Sequence, residues 1–109
     1  MRQAKARRAV GRMNKTEALF AVTALHGRTH GFEEITLRLG DDCRYTPDFW
    51  ALGQDDVLEF HEVKGFWRDD AKVKIRVAAE KFPQFRFFAW RHVKGVWQRE
   101  TFGPEDAAA

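Results

Sequence analysis

The sequence is poor in the features of secreted and membrane-bound proteins. A single cysteine, Cys43, occurs among the 109 residues. One thiol excludes a disulfide framework and a cysteine-based zinc site, and it favours a reducing compartment. No apolar run approaches the roughly 18 residues that a membrane-spanning helix needs, and the short apolar stretch 18–25 has no small-residue cleavage site after it. We therefore expect a soluble cytoplasmic protein with no membrane partner.

Internal repeats and low-complexity tracts are also absent from the sequence, apart from three closing alanines. A length of 109 residues suits one domain rather than two. A hydrophobic fraction of 44%, with ten phenylalanines, supplies a core and excludes disorder as a description of the whole chain. We expect a basic arm at 1–13, one domain at 14–102 and a tail at 103–109.

Positive charge is concentrated at the N-terminus. Residues 1–15 carry six basic side chains and no acid, whereas the rest of the chain has a net charge of −3. Such an arm can bind phosphates with release of counterions, and a solvated tail explains it equally well. If the arm binds nucleic acid, Arg8 and Arg12 are candidate contacts.

Hydrophobic periodicity predicts a helix followed by three strands. Asn14 and Glu17 have the spacing of a capping box, which starts the helix, and Gly27 ends it. Alternating apolar residues between turn signals then predict strands at about 32–39, 44–52 and 57–64.

The second half of the chain predicts a helix and two further strands. The helix begins at Asp69 or Asp70, and the strands cover about 85–93 and 96–102. The order αβββαββ predicts an α+β (α/β) fold with a central mixed sheet flanked by helices. The intervening helix allows the third and fourth strands to be parallel neighbours.

Three ionisable residues fall where the predicted strands bring them together. Side chains alternate along a strand, so Glu62 and Lys64 share one face while Val63 points to the other. Asp48 lies on the preceding strand of the predicted hairpin, beside Glu62 across the ladder. Paired carboxylates repel each other, and Mg²⁺, which prefers oxygen ligands, relieves that repulsion. A neighbouring lysine can orient or deprotonate a water, or stabilise charge on a phosphodiester.

A surface ion pair worth under about 1 kcal/mol is the simpler explanation of these residues. Three features favour a site instead. Pro47 marks a strand edge or a bulge. Glu62 lies between apolar residues on a strand that should be central, where an unpaired carboxylate is unfavourable. Gly65 follows the motif directly and leaves room for a close backbone approach.

Pro47-Asp48, followed after a gap by Glu62-Val63-Lys64, resembles the signature of the PD-(D/E)XK nuclease superfamily. The element order αβββαβ around it is similar to the core of that superfamily. The segments 14–17, 44–49 and 62–66, followed by a basic helix, closely resemble a small phage and prophage family of unknown function that is grouped with it.

The resemblance implies a restriction-endonuclease-like core and a Mg²⁺-dependent deoxyribonuclease, with Mn²⁺ able to substitute. Asp48 and Glu62 become metal ligands, the Val63 carbonyl oxygen becomes a third, and Lys64 becomes the catalytic lysine. Glu17 matches the acid on the first helix that completes or supports the metal site in many members. A helix cap explains Glu17 equally well.

The resemblance also implies a partner and a setting. Small members of the superfamily are often dimeric and cut branched DNA, which implies a homodimeric, Holliday-junction-resolvase-like enzyme of phage DNA metabolism in the bacterial cytoplasm. The basic side of the helix after the motif makes Arg68, Lys72 and Lys74 candidate phosphate contacts, and a solvated helix side with pairs such as Asp70–Lys74 explains the same residues. The alternative is a non-catalytic nucleic-acid-binding module in which the carboxylates are structural.

Overall fold

The computed structural model describes residues 12–64 and 69–103, and for residues 69–71 the backbone alone. The predicted arm at 1–13 and the tail at 103–109 fall almost entirely outside these ranges. The described elements are α1 (Lys15–Thr23), β1 (His30–Phe32), β2 (Leu37–Gly40), β3 (Cys43–Tyr45), β4 (Phe49–Leu52), β5 (Leu58–Val63), α2 (Asp69–Lys81), β6 (Arg86–Val93) and β7 (Val96–Phe102). Within the same ranges, no helix has the length and apolar character needed to cross a membrane.

A five-stranded mixed sheet lies at the centre of the fold, in the order β1-β4-β5-β6-β7. β5 and β6 run parallel, and the other neighbouring pairs run antiparallel. The parallel pair follows from α2, because a helical crossover carries the chain from the end of β5 back to the start of β6. The α+β class, the mixed sheet, the parallel pair and the central position of the third predicted strand are thereby confirmed.

Two of the predicted strands are broken in the middle. The stretch 32–39 divides into β1 and β2, and the stretch 44–52 divides into β3 and β4. Pro47 accounts for the second break because it has no N–H to donate to a ladder. Glu33 marks the first, since its φ of +53° lies in the left-handed region. The prediction of two continuous strands was therefore wrong, and β2 and β3 form a separate two-stranded sheet.

The start of α1 is fixed by a reciprocal pair of hydrogen bonds. The Asn14 side chain accepts the N–H of Glu17 at 2.8 Å, and the Glu17 carboxylate accepts the N–H of Asn14 at 2.9 Å. The predicted capping box is thus confirmed. It holds Glu17 in one orientation at the first turn of the helix.

The two helices cover opposite faces of the sheet. Along β5, Phe60 packs in one apolar cluster with Ile75 of α2, and Val63 packs in another with Phe20 of α1. Alternation along the strand assigns these residues to different faces. The β2–β3 hairpin lies on the α2 side, because its inward residues join that cluster: Leu37, Leu39 and Tyr45.

Phe20 is the central contact between α1 and the sheet. Its ring is fully buried and lies 5.2 Å from the ring of Trp90 and 5.5 Å from that of Phe49, between centroids. We expect Phe20→Ala to lower the free energy of unfolding by about 3–5 kcal/mol, because it leaves a cavity in a packed core. Val22, exposed on the same helix, gives the matched control: Val22→Ala should change it by less than about 1 kcal/mol. Chemical denaturation measures both, and equal stabilities would contradict this packing.

Candidate metal centre

Asp48 and Glu62 face each other across β4 and β5. Phe49 pairs with His61, so the antiparallel register places Asp48, one residue before β4, opposite Glu62. Glu62 Oε1 accepts the N–H of Asp48 at 3.2 Å, and Asp48 Oδ2 accepts the N–H of Val63 at 2.8 Å. The two carboxylates therefore lie side by side, as the predicted hairpin register required.

Both carboxylates are largely withdrawn from solvent, with exposed fractions of 5% for Asp48 and 9% for Glu62. Burial first, and then the charge of Glu62, raises the pKa of Asp48 to about 7. Burial also raises the pKa of Glu62. Each carboxylate disfavours ionisation of the other, so near neutral pH the pair attracts a cation, either a proton or a metal ion.

Lys64 lies on the same face as Glu62, as strand alternation predicts. Its Nζ is 3.5 Å from Glu62 Oε2, and its side chain is 40% exposed. Its positive charge lowers the pKa of both Asp48 and Glu62, against the larger effect of burial. Lys64 thus stands between the acid pair and solvent, where a water or a phosphate group can reach it.

Glu17 caps α1 and also borders the acid pair. Its side chain is buried, and Oε1 is used in the cap. Its negative charge contributes to the raised pKa of Asp48. The capping role is confirmed, while a role for Glu17 in metal binding stays a prediction.

Tyr45 is a contact of the site that the sequence analysis missed. Its hydroxyl donates to Glu62 Oε1 at 2.9 Å, and burial together with the Glu62 charge holds the pKa of Tyr45 far above its usual value. On a continuous strand Tyr45 and Asp48 would face opposite sides. Because the strand breaks at Pro47, Tyr45 and Asp48 instead both lie beside Glu62. Proline signals such a break but does not show where the chain turns.

The donor set fits a metal ion that keeps most of its own water. Among the described residues, no three His, Cys, Asp or Glu side chains form a group that could hold a metal. The oxygens available are those of Asp48 and Glu62 and the Val63 carbonyl. The Asp48 side chain is buried, and its Oδ1 makes no hydrogen bond to a described residue. An unpaired carboxylate oxygen in such a place is unfavourable unless a proton or a metal ion binds it. Mg²⁺ is commonly held by one or two carboxylates, water and substrate phosphates, and Mn²⁺ accepts the same ligands.

The predicted DNA contacts on the arm and before α2 fall mostly outside the described ranges. Arg8 and Arg68 are not among the residues that the structure describes. Arg12, at the start of the first described range, is exposed. Its role in binding nucleic acid stays a prediction.

The predicted contacts on α2 both have partners within the fold. Lys72 Nζ pairs with Glu100 Oε1 at 3.0 Å. Lys74 Nζ donates to the carbonyl of Arg44 at 3.0 Å and so ties the helix to the β2–β3 hairpin. Both side chains therefore also have a structural role, and their contacts with DNA stay predictions.

Comparison with known proteins identified no relative of the chain. A scan against protein-family models, a search of curated proteins and a search of solved structures each gave no match. The function has to be inferred from the geometry and chemistry of the site itself.

The acid pair should make stability depend on pH. Because the pKa of Asp48 is raised from 3.8 to about 7 in the fold, ionising it disfavours folding, and stability is lost as the pH rises between these values. Asp48→Asn keeps an acceptor for the Val63 N–H but removes the charge. In EDTA, the free energy of unfolding of Asp48→Asn minus that of the wild type should rise from about pH 4 to about pH 7 and then level off.

Thermal melts of both proteins across this pH range measure the difference. Titrating groups outside the acid pair, including His61, are common to the two proteins and cancel, while Glu62 titrates together with Asp48 and contributes to the difference. A difference that does not change with pH would show that the fold does not raise the pKa of Asp48.

Proposed function

We propose that this protein is a Mg²⁺-dependent deoxyribonuclease with a restriction-endonuclease-like core, acting on branched DNA in phage DNA metabolism. One observation carries the proposal: Asp48, Glu62 and Lys64 converge at the end of the central strand, with both carboxylates buried. A structural ion pair needs only one acid. Metal-assisted hydrolysis of a phosphodiester needs acids that hold a cation and a group that acts on the phosphate or the water.

The arrangement of the elements supports this core. The acid pair lies on an antiparallel pair of strands, β4 and β5, and β5 continues through α2 into a parallel strand. Helices cover both faces of the sheet, and Glu17, on the first of them, adds its negative charge to the environment of Asp48. The β2–β3 hairpin, between β1 and β4, supplies the hydroxyl of Tyr45 to the site.

Asp48 and Glu62 would hold the metal through side-chain oxygens, and Val63 through its carbonyl oxygen. Bound there, Mg²⁺ supplies a water of lowered pKa and neutralises charge on the phosphodiester. The N–H of Val63 fixes Asp48 Oδ2, and Tyr45 fixes Glu62 Oε1. The other oxygen of Glu62, Oε2, lies 3.5 Å from Lys64 Nζ, and Asp48 Oδ1 makes no hydrogen bond to a described residue.

Lys64 acts on the reacting phosphate or on the attacking water. Its ammonium group can donate hydrogen bonds to a non-bridging phosphate oxygen, where negative charge develops, or orient the water. Attack of water on phosphorus then breaks the P–O3′ bond and leaves a 5′-phosphate and a 3′-hydroxyl, the products that the family resemblance implies.

A non-catalytic nucleic-acid-binding module is the second candidate. It is favoured by the finding that no three metal-ligating side chains come together within the described ranges. In that case Asp48 and Glu62 would be structural, and Mg²⁺ and Lys64 would change only the affinity for nucleic acid.

Cleavage of 5′-labelled linear duplex, single strand, flap and four-way junction tests the proposal directly. We expect cutting in Mg²⁺ or Mn²⁺, none in EDTA, and a preference for the junction. Lys64→Ala should lose at least about 100-fold in rate, the effect of removing one preorganised donor. Lys64→Ala should keep the rise in melting temperature that Mg²⁺ causes. Asp48→Asn should lose both this rise and the cleavage.

Lys81→Ala, at the exposed end of α2, is the control for removing one positive charge. Equal cleavage by the Lys64→Ala and Lys81→Ala variants would refute the role of Lys64. Tight binding by the wild type without cleavage of any substrate would favour the non-catalytic module.

Two variants separate the capping role of Glu17 from a role in the metal site. Glu17→Gln keeps a side chain that suits the capping box but removes the charge. We expect it to retain stability and to lose Mg²⁺-dependent cleavage. Asn14→Ala should lower the free energy of unfolding by about 1 kcal/mol and retain cleavage. Wild-type activity in Glu17→Gln would leave Glu17 as a helix cap alone.

A further inference from the structure

The register of the sheet extends the site beyond Lys64. Val63 pairs with Trp90 in the parallel ladder, and the N–H of Lys64 donates to the carbonyl of Trp90 at 3.0 Å. This bond continues the ladder by one residue and places Lys64 beside Arg91, about 4.8 Å away between strands. Arg91 therefore shares the sheet face and the sheet end of Glu62 and Lys64.

A groove of about 240 Å³ lies on this face, between α2 and the strands β6 and β7. It is lined by Lys72, Ala89, Arg91, Gln98, Arg99 and Glu100. Ala89 is directly opposite Glu62 in the ladder. Its side chain is a single methyl group. In this row of the sheet, only that methyl group lies between Glu62 and the groove.

Arg91 is the cation of this groove without an intramolecular partner. It is half-buried, and its side chain makes no hydrogen bond or ion pair with any residue that the structure describes. In contrast, Lys72 pairs with Glu100. The side chain of Arg99, which is opposite Trp90 in the ladder, lies on the other face of the sheet, over the ring of Phe88 at 5.0 Å. A partly desolvated guanidinium is unfavourable without an acceptor. Its planar set of donors matches two oxygens of one phosphate.

We propose that Arg91 binds a backbone phosphate of the DNA strand that is cut, adjacent to the phosphate that reacts, and that this groove is the path of the strand. The inference rests on the proposed function, since Ala89 and Arg91 of the groove lie in the ladder rows of Glu62 and Lys64. Gln98, opposite Arg91 on β7, offers an amide donor to the same phosphate. Glu100 is held by Lys72 at the border of the groove, so phosphates are drawn to the Arg91 side.

Arg91→Gln and Arg86→Gln form a matched pair of variants. Both remove one positive charge from β6, and Arg86 lies at the opposite end of that strand, in an ion pair with Asp55 at 2.6 Å. Arg91→Lys is a third variant, which keeps the charge but not the planar set of donors. Melting temperatures establish that each variant folds.

Affinity for a labelled four-way junction and a labelled duplex, measured in EDTA over a range of salt concentrations, tests the inference. Arg91→Gln should bind about tenfold more weakly and lower the slope of log affinity against log salt by about one. Arg86→Gln should change neither quantity. Arg91→Lys should keep the slope and lose part of the affinity. In cleavage, Arg91→Gln should raise KM more than it lowers kcat.

The results for Arg91→Gln distinguish failure of this inference from failure of the proposed function. Equal affinities and slopes for Arg91→Gln and Arg86→Gln would overturn the groove assignment even if the wild type cleaves DNA. A wild type that binds no DNA would overturn it as well. If the wild type cleaves no substrate but Arg91→Gln still loses affinity and slope, the nuclease proposal fails and the groove stands as a DNA-binding site.

Discussion

Burial of two carboxylates that the sheet register holds side by side, where their charges repel each other, is the constraint on which this structure depends. The fold ties down one oxygen of each acid with its own donors: the N–H of Val63 for Asp48, and the Tyr45 hydroxyl with the Asp48 N–H for Glu62. The second oxygen of each acid is left for another partner, and Lys64 is 3.5 Å from one of them. Burial strengthens the repulsion, because little solvent separates the charges. A protein that only needed to fold would gain from an uncharged residue at either position.

Local rules predicted those parts of the site that depend on neighbours in sequence. Strand alternation placed Glu62 and Lys64 on one face, and the turn signal after β4 paired Asp48 with Glu62. The capping box followed from the spacing of Asn14 and Glu17. Each of these inferences needs only the period of one element or the register of one hairpin.

The parts that could not be predicted depend on contacts between distant segments. Tyr45 reaches Glu62 because the chain leaves the sheet at Pro47, and no local rule gives the direction in which it returns. Arg91 joins the site through the register of a parallel pair, which is set by the packing of α2 across the sheet rather than by a turn. The strand predictions failed at Glu33 and Pro47 because both stretches are apolar enough to suggest continuity. Hydrophobic pattern alone does not reveal a residue with positive φ.

Tyr45 is the one tyrosine of the chain, and its hydroxyl contacts an acid of the candidate site. Biosynthetic replacement of tyrosine by a fluorinated or isotopically labelled analogue would therefore give a single resonance at Glu62, with no mutation and no assignment problem. Its chemical shift would report whether that carboxylate is protonated, ionised or occupied by a cation. The β2–β3 hairpin thus places the single tyrosine, a spectroscopic probe, in contact with Glu62 of the candidate site.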